Sequence, residues 1–249
     1  MEQTVRKAFD VLEALAKSGE PRRLTDLARE LSLTKPNVYR LLSTLSELGY
    51  VAKEEATSRY SATLKLWEMG SVLVHDANLI TVTAPKLRSL CERTRESVQL
   101  AVYDAGYAVY VNKVDSPQPI KAMATIGSRI PAACASTGKA ILAWLDESEV
   151  KHAMTLVKRF TPNTRTRRVD LDRDLDEARQ KGFAVNHAEW RPGICGIAAP
   201  LRDHRGQVVA AIGVWGAEDK ILGPRKEELG RLVIEAAADA SRELGFLTR

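Results

Sequence analysis

The chain has 249 residues, of which 45% are hydrophobic and 28% charged, and 37 Lys and Arg outweigh 32 Asp and Glu for a formal net charge of +5. That is enough for one large or two ordinary domains with buried cores, and it excludes a disordered chain or a disulfide-stapled mini-protein. The charge-free run Gly206–Ala217 is far shorter than the ~18 residues a membrane span needs, and Met1–Lys7 leads into an amphipathic pattern rather than an apolar signal core.

Val5, Phe9, Leu12 and Leu15 recur at spacings of three and four and predict a helix over about 5–18, ended by Gly19-Glu20-Pro21. Thr25 is placed to cap a short helix with Leu27, Ala28 and Leu31 inward. After a turn at Ser32-Leu33, Thr34 caps a second helix with Pro36 in its first turn. Its inward stripe is Val38, Leu41, Leu42, Leu45 and Leu48, and Gly49 stops it. Two short helices with so brief a turn read as helix-turn-helix. The outer face of the second carries Lys35, Asn37, Tyr39, Arg40, Ser43 and Thr44, donors and acceptors suited to a major groove. Strands over 49–53 and 59–62 form a hairpin wing, where Lys53 and Arg59 would flank a duplex backbone. Residues 1–65 hold eleven basic and nine acidic residues, so the footprint on double-stranded DNA is local. Modest affinity per domain points to a homodimer or a dimer of dimers.

Beyond residue 65 the pattern changes. Leu66, Met69, Gly70, Leu73 and Val74 predict a linker helix over about 64–80, and a further helix runs from Pro85 to about Arg95. Residues 98–103 and 108–111 form a hairpin around Asp104-Ala105-Gly106, and 120–125 a third strand. Asp146-x-x-Glu149 opens a helix, another spans about 171–181 up to Gly182, and a last one spans about 225–244. Strands are expected at about 183–185, 194–200 and 207–215. Mixed hairpins and helices make this an α+β layer domain.

Three lone cysteines (Cys91, Cys134, Cys195) with no C-x-x-C, and four scattered histidines, predict a reduced, cytoplasmic protein with no membrane association, metal or cofactor. Ser136-Thr137-Gly138-Lys139 contains S-x-x-K, but the S-D-N and K-T-G elements that would make it a penicillin-binding-type site are missing. It is no P-loop either, since Ala133 and Ala140 stand where Gly and Ser/Thr are required. No catalytic residue is assigned. The same segment is a helix start: a plain N-cap, or a place where exposed N–H groups take a ligand carboxylate.

The run Leu24-Thr25-Asp26-Leu27-Ala28-Arg29-Glu30-Leu31 through Tyr39-Arg40-Leu41-Leu42, then Leu48-Gly49-Tyr50-Val51, resembles the isocitrate lyase regulator (IclR) family of bacterial transcription factors. So do Gly127–Pro131 with Ala135–Ala143, and Gly182–Val185 with Glu189 and Gly193–Pro200. The resemblance implies a winged helix-turn-helix over 1–65, a linker helix over 66–80 and a GAF-like effector domain over 81–249. The partners it implies are a palindromic operator, catabolic target genes, a second copy of the chain and a small organic acid. It also implies a pocket walled by Ala122, Ile130, Ser136, Thr137, Asn186, Ile194, Gly196, Gly213 and Trp215. Members that sense very small keto-acids carry polar or acidic residues where Asn186, Gly196, Gly213 and Trp215 stand here. Two glycines removing bulk, beside the apolar surface of Trp215 and Ile194, predict an acid larger than a two- or three-carbon keto-acid. The alternative places Trp215 in the sheet core. An enzyme with a tethered DNA-binding module and a ligand-independent DNA-binding protein are the rival readings.

Overall fold

The computed structural model describes residues 3–73, 77–116 and 125–246, which fall into two compact units, 1–77 and 78–249. In the first, α1 (Gln3–Ser18) buries Val11, Leu12, Ala14 and Leu15. Val5 and Phe9, expected on that face, are more than half exposed, because only the C-terminal part of the helix reaches the core. A two-residue strand, β1 (Arg22–Arg23), precedes α2 (Leu24–Glu30) and α3 (Lys35–Glu47). Thr25 is not a cap: Arg23 holds that position and Thr25 lies inside the first turn. Thr34 does occupy the N-cap of α3, through its backbone only, with Pro36 in the first turn where a missing N–H costs nothing. Between the two helices Ser32 adopts φ +54°, and the Leu33 N–H bonds back to the Ala28 carbonyl at 2.9 Å. Val38, Leu41, Leu42 and Leu45 are buried against α1 and α2. Leu48, expected to join them, lies just past the helix end and is 53% exposed.

The wing is β2 (Val51–Glu54) and β3 (Arg59–Ala62), antiparallel, and β1 adds to its other edge through Arg22 opposite Tyr60. A helix, α4 (Lys65–Leu73), completes this unit.

The second unit starts with α5 (Ala77–Thr94). The expected break before Pro85 does not occur. Leu79 and Val82 upstream, and Leu87 and Leu90 downstream, all bury on one side, and Pro85 is accommodated inside the helix. Then follow β4 (Ser97–Asp104), β5 (Tyr107–Val114), β6 (Arg129–Pro131), a 3-10 turn (Ala132–Cys134), α6 (Ser136–Leu142), α7 (Glu147–Thr155), α8 (Arg168–Lys181), β7 (Ala184–His187), β8 (Ile194–Arg202), β9 (Val208–Ala217), α9 (Glu218–Ile221) and α10 (Lys226–Glu243). The strand expected over 120–125, and Ala122 with it, fall outside the described residues except for Thr125, which is not in a strand.

The six strands form one antiparallel sheet in the order β6-β5-β4-β9-β8-β7. One face carries Val98, Leu100, Ile197, Ala199, Ile212 and Val214 into α5 and α10. The other face carries the small residues Ala101, Gly196, Ala198, Ala211 and Gly213, alternating with the large ones, together with Gln99 and Trp215. That smoothness lets α6 lie close to the strands. A Cβ on Gly138 would fall 2.1 Å from the Ala132 carbonyl oxygen, a contact no side chain can make.

Candidate nucleic-acid interface and ligand cavity

Helix α3 holds its apolar stripe inward, which turns Lys35, Tyr39, Arg40 and Thr44 fully outward and leaves Asn37 and Ser43 half-exposed. Tyr39 is 58% exposed although aromatic, so its ring is not part of the core. Thr25, Thr34 and Lys53 are exposed as well. Arg59 is half-buried and donates to the Pro21 carbonyl at 3.4 Å, which ties the wing to the turn before α2. Arg22 is committed to Glu30 at 2.7 Å, whereas Arg23, which the spacing of the sequence gave no reason to choose, is exposed on β1 opposite Arg59. Glu54 and Glu55 share the wing with Lys53 and Arg59, so the wing carries little net charge.

The second unit holds a cavity of about 280 Å³ between the α6 face of the sheet, β6 and the loop joining β7 to β8. Of the expected wall residues, Ile130, Ser136, Asn186, Ile194, Gly196 and Trp215 line it. Thr137 and Gly213 do not. Thr137 is fully buried one residue behind Ser136, and the space above Gly213 is taken by the Ala198 side chain, 2.7 Å from where a Cβ would stand. Gly196 likewise makes room for the Ser136 hydroxyl, not for added ligand volume. Both glycines permit close packing of strand and helix, and the spare volume lies elsewhere. Ala135, not Ser136, is the N-cap of α6, and that helix has only seven residues.

Residues with no role assigned from sequence complete the lining: Gln99, Tyr110, Ser128, Arg129, Cys134, Ala135, Trp190, Arg191 and Cys195. Burial pushes the Tyr110 phenol up to about 12, against the opposing pull of Gln99, Thr137 and the Arg191 charge, so it stays a neutral donor. The Thr137 hydroxyl is near enough to act on that phenol but makes no hydrogen bond of good geometry, and Trp215 Nε1 is also buried without a partner. Desolvation holds the Cys134 thiol at about 12 and Cys195 at about 11, far from thiolate reactivity. The S-x-x-K lysine, Lys139, does not face the cavity. Its ammonium is fully buried, 2.6 Å from both Asp174 Oδ2 and Glu189 Oε1. No cluster of three or more potential metal ligands occurs among the described residues.

Residues 4–55 match the IclR helix-turn-helix domain, and residues 71–242 match the bacterial transcriptional regulator IclR C-terminal domain. The chain belongs to the IclR family. The IclR-type regulator described here is 34% identical over 247 residues to the HTH-type transcriptional regulator KdgR of Escherichia coli K12, covering 98% of this chain and 93% of that one. It is 29% identical to the HTH-type transcriptional repressor AllR of the same organism, over 98% and 91% of the two chains. The crystal structure of Thermotoga maritima IclR superposes with a TM-score of 0.81 at 31% identity, covering 98% of this chain and 99% of that one. The IclR-family chain is thus a transcriptional regulator with a DNA-binding helix-turn-helix unit and an α+β, GAF-like effector-binding unit. No described helix is long and apolar enough to cross a membrane. Gln99, Tyr110 and Arg191 escaped the sequence reading because each reaches the cavity from a different element. Only the antiparallel pairing of β4 with β5 and β9 brings the first two beside Trp215.

Proposed function

We propose that this regulator binds an inverted-repeat operator in double-stranded DNA and releases or remodels it when a small organic acid occupies the cavity, controlling a catabolic operon in the cytoplasm. The observation that carries this reading is the charge of the cavity. Its charged lining residues are Arg129 and Arg191, with no carboxylate among them, so it favours an anion. At ~30 Å³ per water, 280 Å³ corresponds to roughly nine waters, about twice what a two-carbon keto-acid fills. That supports an acid of about six carbons. Lys35, Asn37, Tyr39, Arg40, Ser43 and Thr44 are the proposed groove readers, with Thr25, Thr34, Lys53 and Arg59 toward the backbone. Ile130, Ser136, Asn186, Ile194, Gly196 and Trp215 are the proposed effector contacts. Exposed Val5 and Phe9 on α1, and Leu64, Trp67 and Met69 in and before α4, support self-association into a homodimer or a dimer of dimers.

The test is operator binding by the full chain with and without a metabolite-acid panel. Arg40→Ala should cost about 1–3 kcal/mol on the cognate site and relax preference at particular base pairs. Lys53→Ala should weaken all sequences alike and lower the salt slope by about one. If Arg40→Ala leaves affinity and specificity untouched, α3 is not the reading helix.

A further inference from the structure

The loop after β7 is held from several sides. Ala188 sits at φ +51°, and its carbonyl accepts from Thr161 Oγ1 at 2.8 Å. The Glu189 carbonyl accepts from Thr164 Oγ1 at 2.8 Å, and its carboxylate is buried on Lys139. The Glu189 N–H donates to Asn186 Oδ1 at 2.9 Å, and the Trp190 ring packs edge-on against Phe160 with centroids 4.3 Å apart. The next residue, Arg191, is exposed and lines the cavity. Its backbone is therefore placed by a rigid strap, and only its side chain remains free to move.

The two cavity arginines are not equivalent. Arg129 is engaged, with Nη1 2.6 Å from Asp104 Oδ2 and its guanidinium 4.7 Å over the Tyr107 ring. No described carboxylate stands within 4.0 Å of Arg191. The site thus presents one uncompensated positive charge. The remaining donors on the floor, Gln99, Tyr110 and the Trp215 N–H, are neutral, and the Trp215 N–H, which has no partner, still needs an acceptor oxygen.

We infer that Arg191 is the specificity-determining cation of the effector cavity, closing over a monocarboxylate from the strap, while the ligand's hydroxyl or carbonyl oxygens face Trp215, Gln99 and Tyr110. One free charge matches one carboxylate, whereas a doubly charged phosphate would keep one of its charges unpaired. A guanidinium suits the task because its fork takes both carboxylate oxygens at once. The anchor is on the strap and not at the start of α6. This inference rests on the organic-acid reading above.

The experiment is calorimetric titration of the full chain with gluconate, 4-hydroxybenzoate and cyclohexanecarboxylate, each against its primary amide, and gluconate against 6-phosphogluconate. The two hydroxylated acids separate an aliphatic from an aromatic source of the same chemistry. Wild type should favour an acid over its amide by roughly 10- to 100-fold, the strength of a hydrogen bond to a charged group. Arg191→Gln should reduce that ratio to within about three-fold. Arg191→Lys should retain part of it, and Arg205→Gln, outside the cavity lining, should keep it whole. The amide itself should bind all four proteins alike, which a merely structural role for Arg191 would not produce. Acid binding with an undiminished acid-to-amide ratio in Arg191→Gln, or tighter binding of 6-phosphogluconate than gluconate, would overturn the inference and leave the organic-acid reading standing. If no acid of the panel binds wild type, the organic-acid reading falls and the role of Arg191 with it.

Discussion

Lys139 is the largest fully buried side chain among the described residues, and its charge faces Asp174 from α8 and Glu189 from the strap, with the Val185 carbonyl 3.3 Å away. Asp174 is shared with Arg165 at 3.2 Å. Removing the ammonium would leave the buried Glu189 carboxylate without its cation, while Asp174 keeps Arg165. Lys139→Met should therefore cost about 3–5 kcal/mol in denaturant unfolding, with part regained when Glu189→Leu is added. Burial acts differently on the cavity thiols and on Tyr110, because it disfavours their charged forms. Cys134, Cys195 and Tyr110 have folded-state values of about 12, 11 and 12, above ordinary values of 9 to 10. Raised values for acids mean that stability is fully present below about pH 9. It is lost as pH climbs toward 11 and 12, since the unfolded chain sheds these protons first. Urea midpoints should be flat across this range of ionisations up to pH 8.5 and should fall steadily above pH 9. A thiol reagent at pH 8 should leave all three buried cysteines of the native protein unlabelled.

Among the elements, α6 has the tightest fit. Gly138→Ala would drive a methyl into the Ala132 backbone, so it should destabilise by several kcal/mol although alanine is the better helix former, as thermal unfolding will register. This contact also marks where a linear reading runs out. Helix α3, its Thr34 start and its Gly49 stop were legible because a 3.6-residue period and a left-handed glycine (φ +78°) are local properties. The strands expected over about 194–200 and 207–215 are β8 and β9, each longer by two residues at its C-terminal end. β1 was not legible, because two residues carry no period of their own and gain their partner from the wing. Helix α5 was cut too early because Pro85 is a strong local breaker, and only burial on both sides of it keeps the helix whole. Gly196 and Gly213 were read as making room for a ligand, but only Gly196 lines the cavity. The atoms that need their missing side chains belong to Ser136 and Ala198, which no spacing rule brings near. Trp215 does line the cavity, with only 7% of its surface exposed.

For the whole molecule, eleven basic residues against nine acidic in 1–65 support the proposal that the DNA-binding unit works as one of a pair. Footprinting should show protected half-sites about one helical turn apart, or a multiple of that, related by a dyad. A single asymmetric half-site bound by one chain would rule the arrangement out. The cavity has a fixed side and an adjustable one. Beneath α6 the sheet is locked by Gly196 and Gly213, whose missing side chains make room for Ser136 and Ala198, whereas Ser128, Arg129 and Arg191 line the cavity from loops and a short edge strand. For anyone wishing to retune this chain into a biosensor for another metabolite, that division sets the library. Randomising Ser128, Arg129 and Arg191 should change what is sensed, whereas randomising Glu189 of the strap, or Gly196 and Gly213 beneath α6, should mostly yield protein that no longer folds.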